Sequence, residues 1–275
     1  TLAGVVITRF TNPFSAGGYF NLGIFSIPVT ILWIVGITNA VNFIDGLDGL
    51  ACGVSAIATV TMFVIAVLYS EYQIALMMAA LAGACLGFLP YNMNPAKLFM
   101  GDTGSMFLGY ILAVTSIQGL FKFYAVISFA VPFILLGLPI FDTAFAIIRR
   151  LAHGQSPLQA DRGHVHHRLI DLGFDQKQSV AILYAFSAVL GLTAVLLATT
   201  NEAKLVILAL AVLICFFLGM SLMTMEKRHQ KEEQARLDEL CHELEEKDAR
   251  EAAVDAAKDA FSVETGETGK REDKQ

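Results

Sequence analysis

Residues 26–69 read SIPVTILWIVGITNAVNFIDGLDGLACGVSAIATVTMFVIAVLY, and this stretch decides the fold. It contains two apolar runs that are each long enough to cross a bilayer, since a spanning helix needs about 20 residues. The polar segment NAVNFIDGLDGL, residues 39–50, joins them. The stretch therefore predicts two membrane helices whose connected ends carry polar side chains.

The rest of the chain has the same character. The 275 residues are 55% hydrophobic and only 16% charged, with a mean hydropathy of +0.60, whereas soluble domains carry about 25% charged residues. We therefore predict an all-α, polytopic membrane protein with about seven transmembrane helices. The predicted spans are Ser26–Ile44, Leu50–Tyr69, Gln73–Leu89, Thr103–Leu120, Phe123–Ile148, Gln178–Thr199 and Lys204–Met225.

Seven spans fix which loops share a face of the membrane. One face carries residues 42–49, 90–102, 149–177 and the tail. Its loops hold six lysines and arginines and the beginning of the tail adds Lys227, Arg228, Lys231 and Arg236, so ten basic residues stand against three on the other face. Because basic loops stay in the cytoplasm, we expect this face and the C-terminal tail to be cytoplasmic. Residues 1–25 then lie outside, where Asn12-Pro13 and Gly17-Gly18 predict a short hairpin.

The charges divide the chain into two parts. Residues 226–275 hold 16 of the 25 acidic residues and 10 of the 19 basic ones, so the net charge of −6 comes from this segment. We predict a transmembrane domain over residues 1–225 and a charged cytoplasmic tail, partly helical or disordered, over residues 226–275. Because the acidity is confined to the tail, it gives no indication of a nucleic-acid partner, and we expect none.

The first polar cluster includes Asn39, Asn42, Asp45 and Asp48. Residues three apart on a helix share one face, so this spacing predicts a polar stripe. An ionised Asp in a bilayer costs roughly 2.5–3.5 kcal/mol, so two of them within four residues suggest a function. The alternative is a polar helix cap at the membrane interface.

The second polar cluster is PYNMNPAKLFMGDTGS, residues 90–105. Asp102 lies between two glycines at a predicted helix start, where a simple cap is the alternative to a functional site. With Asn42 it would supply oxygen ligands for Mg²⁺, which usually takes one or two protein carboxylates. Lys97 could pair with a phosphate.

The third polar cluster contains Arg149-Arg150 and DRGHVHHR, residues 161–168. Its basic and donor groups, among them Arg162, predict a loop that binds a diphosphate. A zinc site and an ordinary positive-inside loop are the alternatives. Upstream, Asp142 sits in an apolar run and is expected to pair with a basic residue.

The three clusters fall on one face by helix parity and basic charge alone. Acids that could hold a metal would then face bases that could hold phosphates, which is the requirement of phosphoryl transfer. A transporter is an alternative, since intramembrane acids also mark ion pathways. A non-catalytic membrane scaffold is another, although it would not need all four of Asn42, Asp45, Asp48 and Asp102.

Three motifs, NAVNFIDGLDGLA at 39–51, FMGDTGS at 99–105 and HVHH at 164–167, together resemble the polyprenyl-phosphate N-acetylhexosamine-1-phosphate transferases. The resemblance covers about residues 1–225. Its His-x-His-His form is similar to the branch that uses UDP-GlcNAc, with phospho-MurNAc-pentapeptide transferase as the alternative. The resemblance implies transfer of GlcNAc-1-phosphate from UDP-GlcNAc to undecaprenyl phosphate in a bacterial plasma membrane, which would start teichoic acid or a similar surface glycan. A homodimer is left open.

The resemblance also implies residue roles. Asn42 and Asp102 would hold Mg²⁺, with Mn²⁺ as an alternative, and Asp45, Asp48 and Asp102 would be the catalytic acids. The substrate-binding residues would be Asn39, Lys97, Arg162, His164, His166 and His167.

One departure from the family pattern is the lack of an Asp-Asp pair, which the family carries upstream of the first motif and which no position of these 275 residues supplies. The family also has more N-terminal helices, and the chain starts at Thr1. We therefore expect this polypeptide to be N-terminally truncated and inactive by itself.

Overall fold

The computed structural model describes residues 4–11, 19–119, 130–152, 154, 164–199 and 236. The chain divides into two units, Thr1–Met220 and Ser221–Gln275. The elements below all belong to the first unit. The predicted boundary at residue 225, the span Lys204–Met225 and nearly all of the tail lie outside the described residues.

The described part of the first unit is helical apart from one short hairpin. A 3₁₀ turn, Gly23–Phe25, leads from the hairpin into the first helix. The strands are β1 (Arg9–Thr11) and β2 (Tyr19–Asn21). The helices are α1 (Ser26–Phe43), α2 (Leu50–Leu68), α3 (Tyr72–Asn92), α4 (Gly101–Gly119), α5 (Ala130–Leu135), α6 (Gly137–Ala152), α7 (Val165–Asp171) and α8 (Gln176–Thr199).

The predicted N-terminal hairpin is confirmed. Strands β1 and β2 pair antiparallel, with Arg9 opposite Asn21 and Thr11 opposite Tyr19. The backbone N–H of Ile7 donates to Thr30 Oγ1 at 2.9 Å. The hairpin is therefore attached to the beginning of α1.

Four of the described helices are long and apolar enough to cross a membrane: Gly23–Phe43, Leu50–Leu68, Tyr72–Asn92 and Gln176–Thr199. Their outer surfaces are rich in exposed large apolar side chains such as Leu32, Leu76 and Leu192. Exposing such a surface to water would cost free energy, whereas contact with the lipid chains of a bilayer carries no such cost. The prediction of a multi-pass membrane protein is confirmed, while the count of seven spans stays a prediction.

Helix α4 matches the predicted span Thr103–Leu120 closely in its bounds but is less apolar than the four. It carries the buried hydroxyl groups of Ser105, Thr115 and Ser116. These hydroxyl groups are buried in the bundle, whereas Phe107 and Tyr110 on the same helix are exposed, so α4 is only partly buried.

The prediction of one continuous helix over Phe123–Ile148 is wrong in its described part. The helix is interrupted at Leu136, between α5 and α6. The cause is Pro139, which has no N–H to donate to the carbonyl four residues before it, that of Leu135. Helix α6 begins at Gly137. It contains Asp142 and leads to the end of the bundle where the polar clusters lie.

Helix α2 is the centre of the bundle and contacts α3, α4 and α8. Its apolar window is 72% buried, against 28–39% for the other three candidate spans. Small residues allow the close approach, as is usual between membrane helices. A Cβ added to Gly53 would lie only 2.0 Å from Tyr184 Cζ, so α8 packs directly on the backbone of α2.

Helices α1 and α4 are joined along their length. At one end Trp33 Nε1 donates to Ser116 Oγ at 3.0 Å. Midway, a Cβ on Gly109 would lie 2.8 Å from Thr38 Cα, so the two backbones are nearly in contact. This packing fixes the end of α1, which carries Asn42, against the beginning of α4.

Candidate active site at one end of the bundle

Asn42 connects the first polar cluster to the second. Its Nδ2 donates to Asp102 Oδ1 at 3.2 Å and to Ser105 Oγ at 2.8 Å. Asn42 is in the last turn of α1 and Asp102 is in the first turn of α4. Both hydrogen bonds use the amide nitrogen, which leaves the amide oxygen of Asn42 as a candidate ligand.

Asp45 lies in the loop between α1 and α2 and is half-buried. Burial, and then the nearby carboxylates of Asp102 and Asp48, raise the pKa of Asp45 to about 6. A carboxylate raises the pKa of another acid in this way only when the two lie close together. Asp102 and Asp48 therefore both lie near Asp45, and the three acids give this region a negative potential.

Asp48 holds the loop between α3 and α4. Its Oδ2 accepts hydrogen bonds from Asn94 Nδ2 at 3.0 Å and from the backbone N–H of Ala96 at 3.1 Å. Asn94 Nδ2 also donates at 2.7 Å to Oε1 of Gln176, which is the first residue of α8. Asp48 and Asn94 together thus connect the loop before α2, the loop before α4 and the beginning of α8.

The histidine-rich segment begins at His164, whose buried side chain is hydrogen-bonded to the buried carboxylate of Asp142. His164 Nδ1 is 2.8 Å from Asp142 Oδ2 in α6, and the two residues are 8% and 4% exposed. The pairing expected for Asp142 is confirmed, with His164 as a partner.

His166 brings the third cluster onto the first. Its ring is parallel to that of His164, with centroids 5.6 Å apart. A Cβ added to Gly46 would lie 2.3 Å from His166 Nε2, so the imidazole packs directly on the backbone next to Asp45. Burial, followed by the charge of His167, lowers the pKa of His166 to about 4. His166 is therefore neutral at physiological pH.

These contacts bring the three polar clusters together at one end of the bundle, as helix parity predicted. Among the remaining candidates, Asn39 donates to Val35 O in its own helix at 2.7 Å. Lys97 is exposed in the loop between α3 and α4, and the ring of His167 is 4.3 Å from that of His166. Arg162 lies outside the described residues.

The chain is similar to several known proteins. Residues 1–120 match the family described as glycosyl transferase family 4. The chain is 45% identical over 194 residues to a probable undecaprenyl-phosphate N-acetylglucosaminyl 1-phosphate transferase of Bacillus subtilis, covering 70% of this chain and 54% of that protein. The predicted family resemblance is confirmed.

Two further relatives carry related names. A decaprenyl-phosphate N-acetylglucosaminephosphotransferase of Mycolicibacterium smegmatis is 38% identical, over 60% of this chain and 45% of that protein. A phospho-N-acetylmuramoyl-pentapeptide-transferase of Rubrobacter xylanophilus is 36% identical, over 67% of this chain and 55% of that protein. The chain spans about half the length of these curated relatives.

The donor atoms of the candidate site fit a hard cation. Among the described residues, no group of three or more His, Cys, Asp or Glu side chains could hold a metal ion, as zinc would require. Mg²⁺ needs only one or two carboxylates because it keeps waters and substrate phosphates. The oxygens of Asn42 and Asp102, beside the Asp45 carboxyl whose pKa is raised by burial and by its acidic neighbours, meet that requirement.

Some members of the site could not be identified from the motifs. Asn94 and Gln176 hold Asp48 and the loop, but single polar residues near helix ends are too common to stand out. Ser105 is the last residue of the FMGDTGS motif, and its spacing of three from Asp102 would place it on the same face of α4.

Gly46→Ala tests the contact between the first and third clusters. We expect the free energy of unfolding to fall by about 1–3 kcal/mol, because the new methyl group overlaps the buried His166 ring. Gly83→Ala is the matched control, since a Cβ there meets nothing within 4 Å. Thermal unfolding in detergent measures both variants, and equal melting temperatures would contradict the packing described for Gly46.

Proposed function

We propose that the complete protein transfers GlcNAc-1-phosphate from UDP-GlcNAc to undecaprenyl phosphate. A phosphate oxygen of the lipid forms a bond to the β-phosphorus of the sugar nucleotide. The bond from that phosphorus to the bridging oxygen breaks, and its electron pair leaves with UMP. The other product is undecaprenyl-pyrophosphoryl-GlcNAc.

The observation that carries this proposal is the meeting of acids and imidazoles at one end of the bundle. Asn42, Asp45 and Asp102 lie on one side, and the histidine-rich segment packs onto the same loop at Gly46. Phosphoryl transfer depends on positioning and on neutralising charge rather than on much covalent chemistry. Relatives named as transferases of N-acetylglucosamine phosphate to polyprenyl phosphates support the same reaction.

Asn42 and Asp102 are the residues that would hold Mg²⁺ or Mn²⁺ in this reaction. When bound, the cation would neutralise charge on the diphosphate. Asp45, with a pKa of about 6, is mostly ionised at neutral pH and would line the site next to the reacting phosphates. Asp48 would keep the loop containing Asn94 and Ala96 in place, and His164, His167 and Lys97 would bind the sugar nucleotide.

The basic loops of the predicted spans and the proposed substrates support a cytoplasmic location for the reaction. We place the site and the C-terminal tail on the cytoplasmic side of a bacterial plasma membrane, where sugar nucleotides are made. The lipid-linked product would start a cell-surface glycan such as teichoic acid. UDP-GlcNAc, undecaprenyl phosphate and the bilayer are the partners of the proposed enzyme.

The proposal is tested by measuring UMP release in vesicles that contain the complete gene product, undecaprenyl phosphate and Mg²⁺. We expect release with UDP-GlcNAc and little release with UDP-MurNAc-pentapeptide. The opposite preference would favour the alternative sugar, to which the Rubrobacter xylanophilus relative points. No release with either donor would contradict a transferase and favour a transporter or scaffold.

A further inference from the structure

Asp142 is a buried acid to which the proposed reaction assigns no role. It lies in α6, is only 4% exposed, and precedes His164 by 22 residues. A buried carboxylate destabilises a protein unless it is paired or hydrogen-bonded. The partners of Asp142 therefore indicate why an acid occupies this helix.

Both oxygens of Asp142 contact the beginning of α7. Oδ2 is 2.8 Å from Nδ1 of His164, and Oδ1 accepts the backbone N–H of Val165 at 2.7 Å. His164 is the residue that precedes α7, and Val165 is its first residue. One carboxylate thus fixes both an imidazole ring and the backbone that carries it.

The ring that Asp142 holds lies against the loop of the candidate site. The centroid of His164 is 6.0 Å from that of Phe43, the residue after Asn42. The ring of His164 is also parallel to that of His166, which packs on Gly46, the residue after Asp45. A change in the orientation of His164 would therefore act within the site.

The contact also decides which nitrogen of His164 can meet a substrate. With the Nδ1 proton directed at Asp142, Nε2 is the nitrogen left for an incoming ligand. A carboxylate at Nδ1 stabilises the charged imidazolium when Nε2–H donates to an anionic oxygen. A diphosphate supplies such oxygens.

We infer that Asp142 is a positioning residue, which acts through His164 to present Nε2 to the diphosphate of the sugar nucleotide. The inference rests on the proposed function for the identity of that ligand. It assigns Asp142 no contact with the reacting atoms. Its effect is therefore on binding of the sugar nucleotide and not on binding of the lipid.

The test is steady-state kinetics of the complete gene product with Asp142→Asn. The amide can still accept the N–H of Val165 but lacks the charge. We expect the KM for UDP-GlcNAc to rise about 10- to 150-fold, the range for loss of a charge-assisted hydrogen bond. The KM for undecaprenyl phosphate should change less than about twofold, since the lipid makes no use of this contact.

Asp142→Ala separates the two hydrogen bonds of Asp142. Asparagine keeps an oxygen that accepts the Val165 N–H, whereas alanine loses that contact as well as the pair with His164. We expect the KM of Asp142→Ala for UDP-GlcNAc to lie within about threefold of that of Asp142→Asn, because both variants lack the charge that holds the imidazole.

A double variant, Asp142→Asn with His164→Gln, completes the kinetic test. We expect it to be no worse than the poorer single variant, because both changes remove one interaction. Additive losses, or an unchanged KM in Asp142→Asn together with a raised KM in Asp142→Ala, would overturn the inference and leave Asp142 as a helix cap.

Nitrogen NMR of histidine-labelled protein keeps the test independent of turnover. In the wild type, the His164 signal, assigned by its loss in His164→Gln, should report a proton on Nδ1, and Asp142→Asn should change it. A wild-type His164 with its only proton on Nε2 would overturn the inference. Absence of UMP release in the wild type would instead overturn the proposed function.

Discussion

Asp102→Asn should lower UMP release by roughly 100- to 1,000-fold, as expected when one group that stabilises transition-state charge is lost. The substitution keeps the size of the side chain and an oxygen that can accept the hydrogen bond from Asn42 Nδ2. It removes the negative charge that would hold Mg²⁺. The loss should therefore be partly reversed at high Mg²⁺, and a titration of the rate against Mg²⁺ concentration measures this.

Two matched variants show whether the loss comes from the charge. Ser105→Ala removes the other acceptor of Asn42 Nδ2, and we expect a decrease of about 2- to 12-fold, the value of one neutral hydrogen bond. Asp171→Asn removes an acid at the exposed end of α7 and should leave the rate unchanged. An Asp102→Asn rate similar to that of Ser105→Ala would contradict a metal-binding role.

The bounds of the long apolar helices could be predicted because their signal is strong. The predicted spans Ser26–Ile44 and Leu50–Tyr69 end within one residue of α1 and α2. A helix that faces lipid must satisfy its own backbone hydrogen bonds and must be long enough to cross the bilayer. Its length therefore matches the length of its apolar run in the sequence. The interruption at Leu136 was missed because hydropathy does not distinguish Pro139 from a residue that continues the helix.

The candidate site could be predicted as a set of motifs but not as a set of contacts. Parity of the spans placed Asn42, Asp102 and the histidine-rich segment at the same end of the bundle, where the structure has them. The contact of Asp142 with His164 was not predictable, since His164 lies 22 residues away, beyond Arg149 and Arg150, which are nearer in sequence. Which imidazole is buried depends on packing against Gly46, which no pattern of residue types encodes.

Asp45→Asn should abolish activity and stabilise the fold. The substitution removes a carboxylate whose ionised form is disfavoured by burial and by the acids Asp102 and Asp48, so the pKa of Asp45 is raised to about 6. We expect UMP release to fall at least about 100-fold, the lower range for loss of an acid or base in a site. Because the side chain is half-exposed and solvent screens part of the repulsion, we expect a gain of only about 1 kcal/mol, or about 2–4 °C in Tm, at pH 7.5.

The pH dependence of that gain follows from the direction of the shift. The pKa of Asp45 is raised from 3.8 in the unfolded chain to about 6 in the fold, so the wild type is favoured at low pH and loses this stability as the pH rises to about 6. Asparagine does not titrate, and the Tm difference should therefore be larger at pH 7.5 than at pH 5. Thermal unfolding in detergent with EDTA measures it without a cation beside Asp45, and Asp171→Asn is the control for removing an acid elsewhere. A variant less stable than the wild type at pH 7.5 would show that favourable contacts stabilise the ionised form of Asp45. It would also contradict the negative potential that favours a cation at this site.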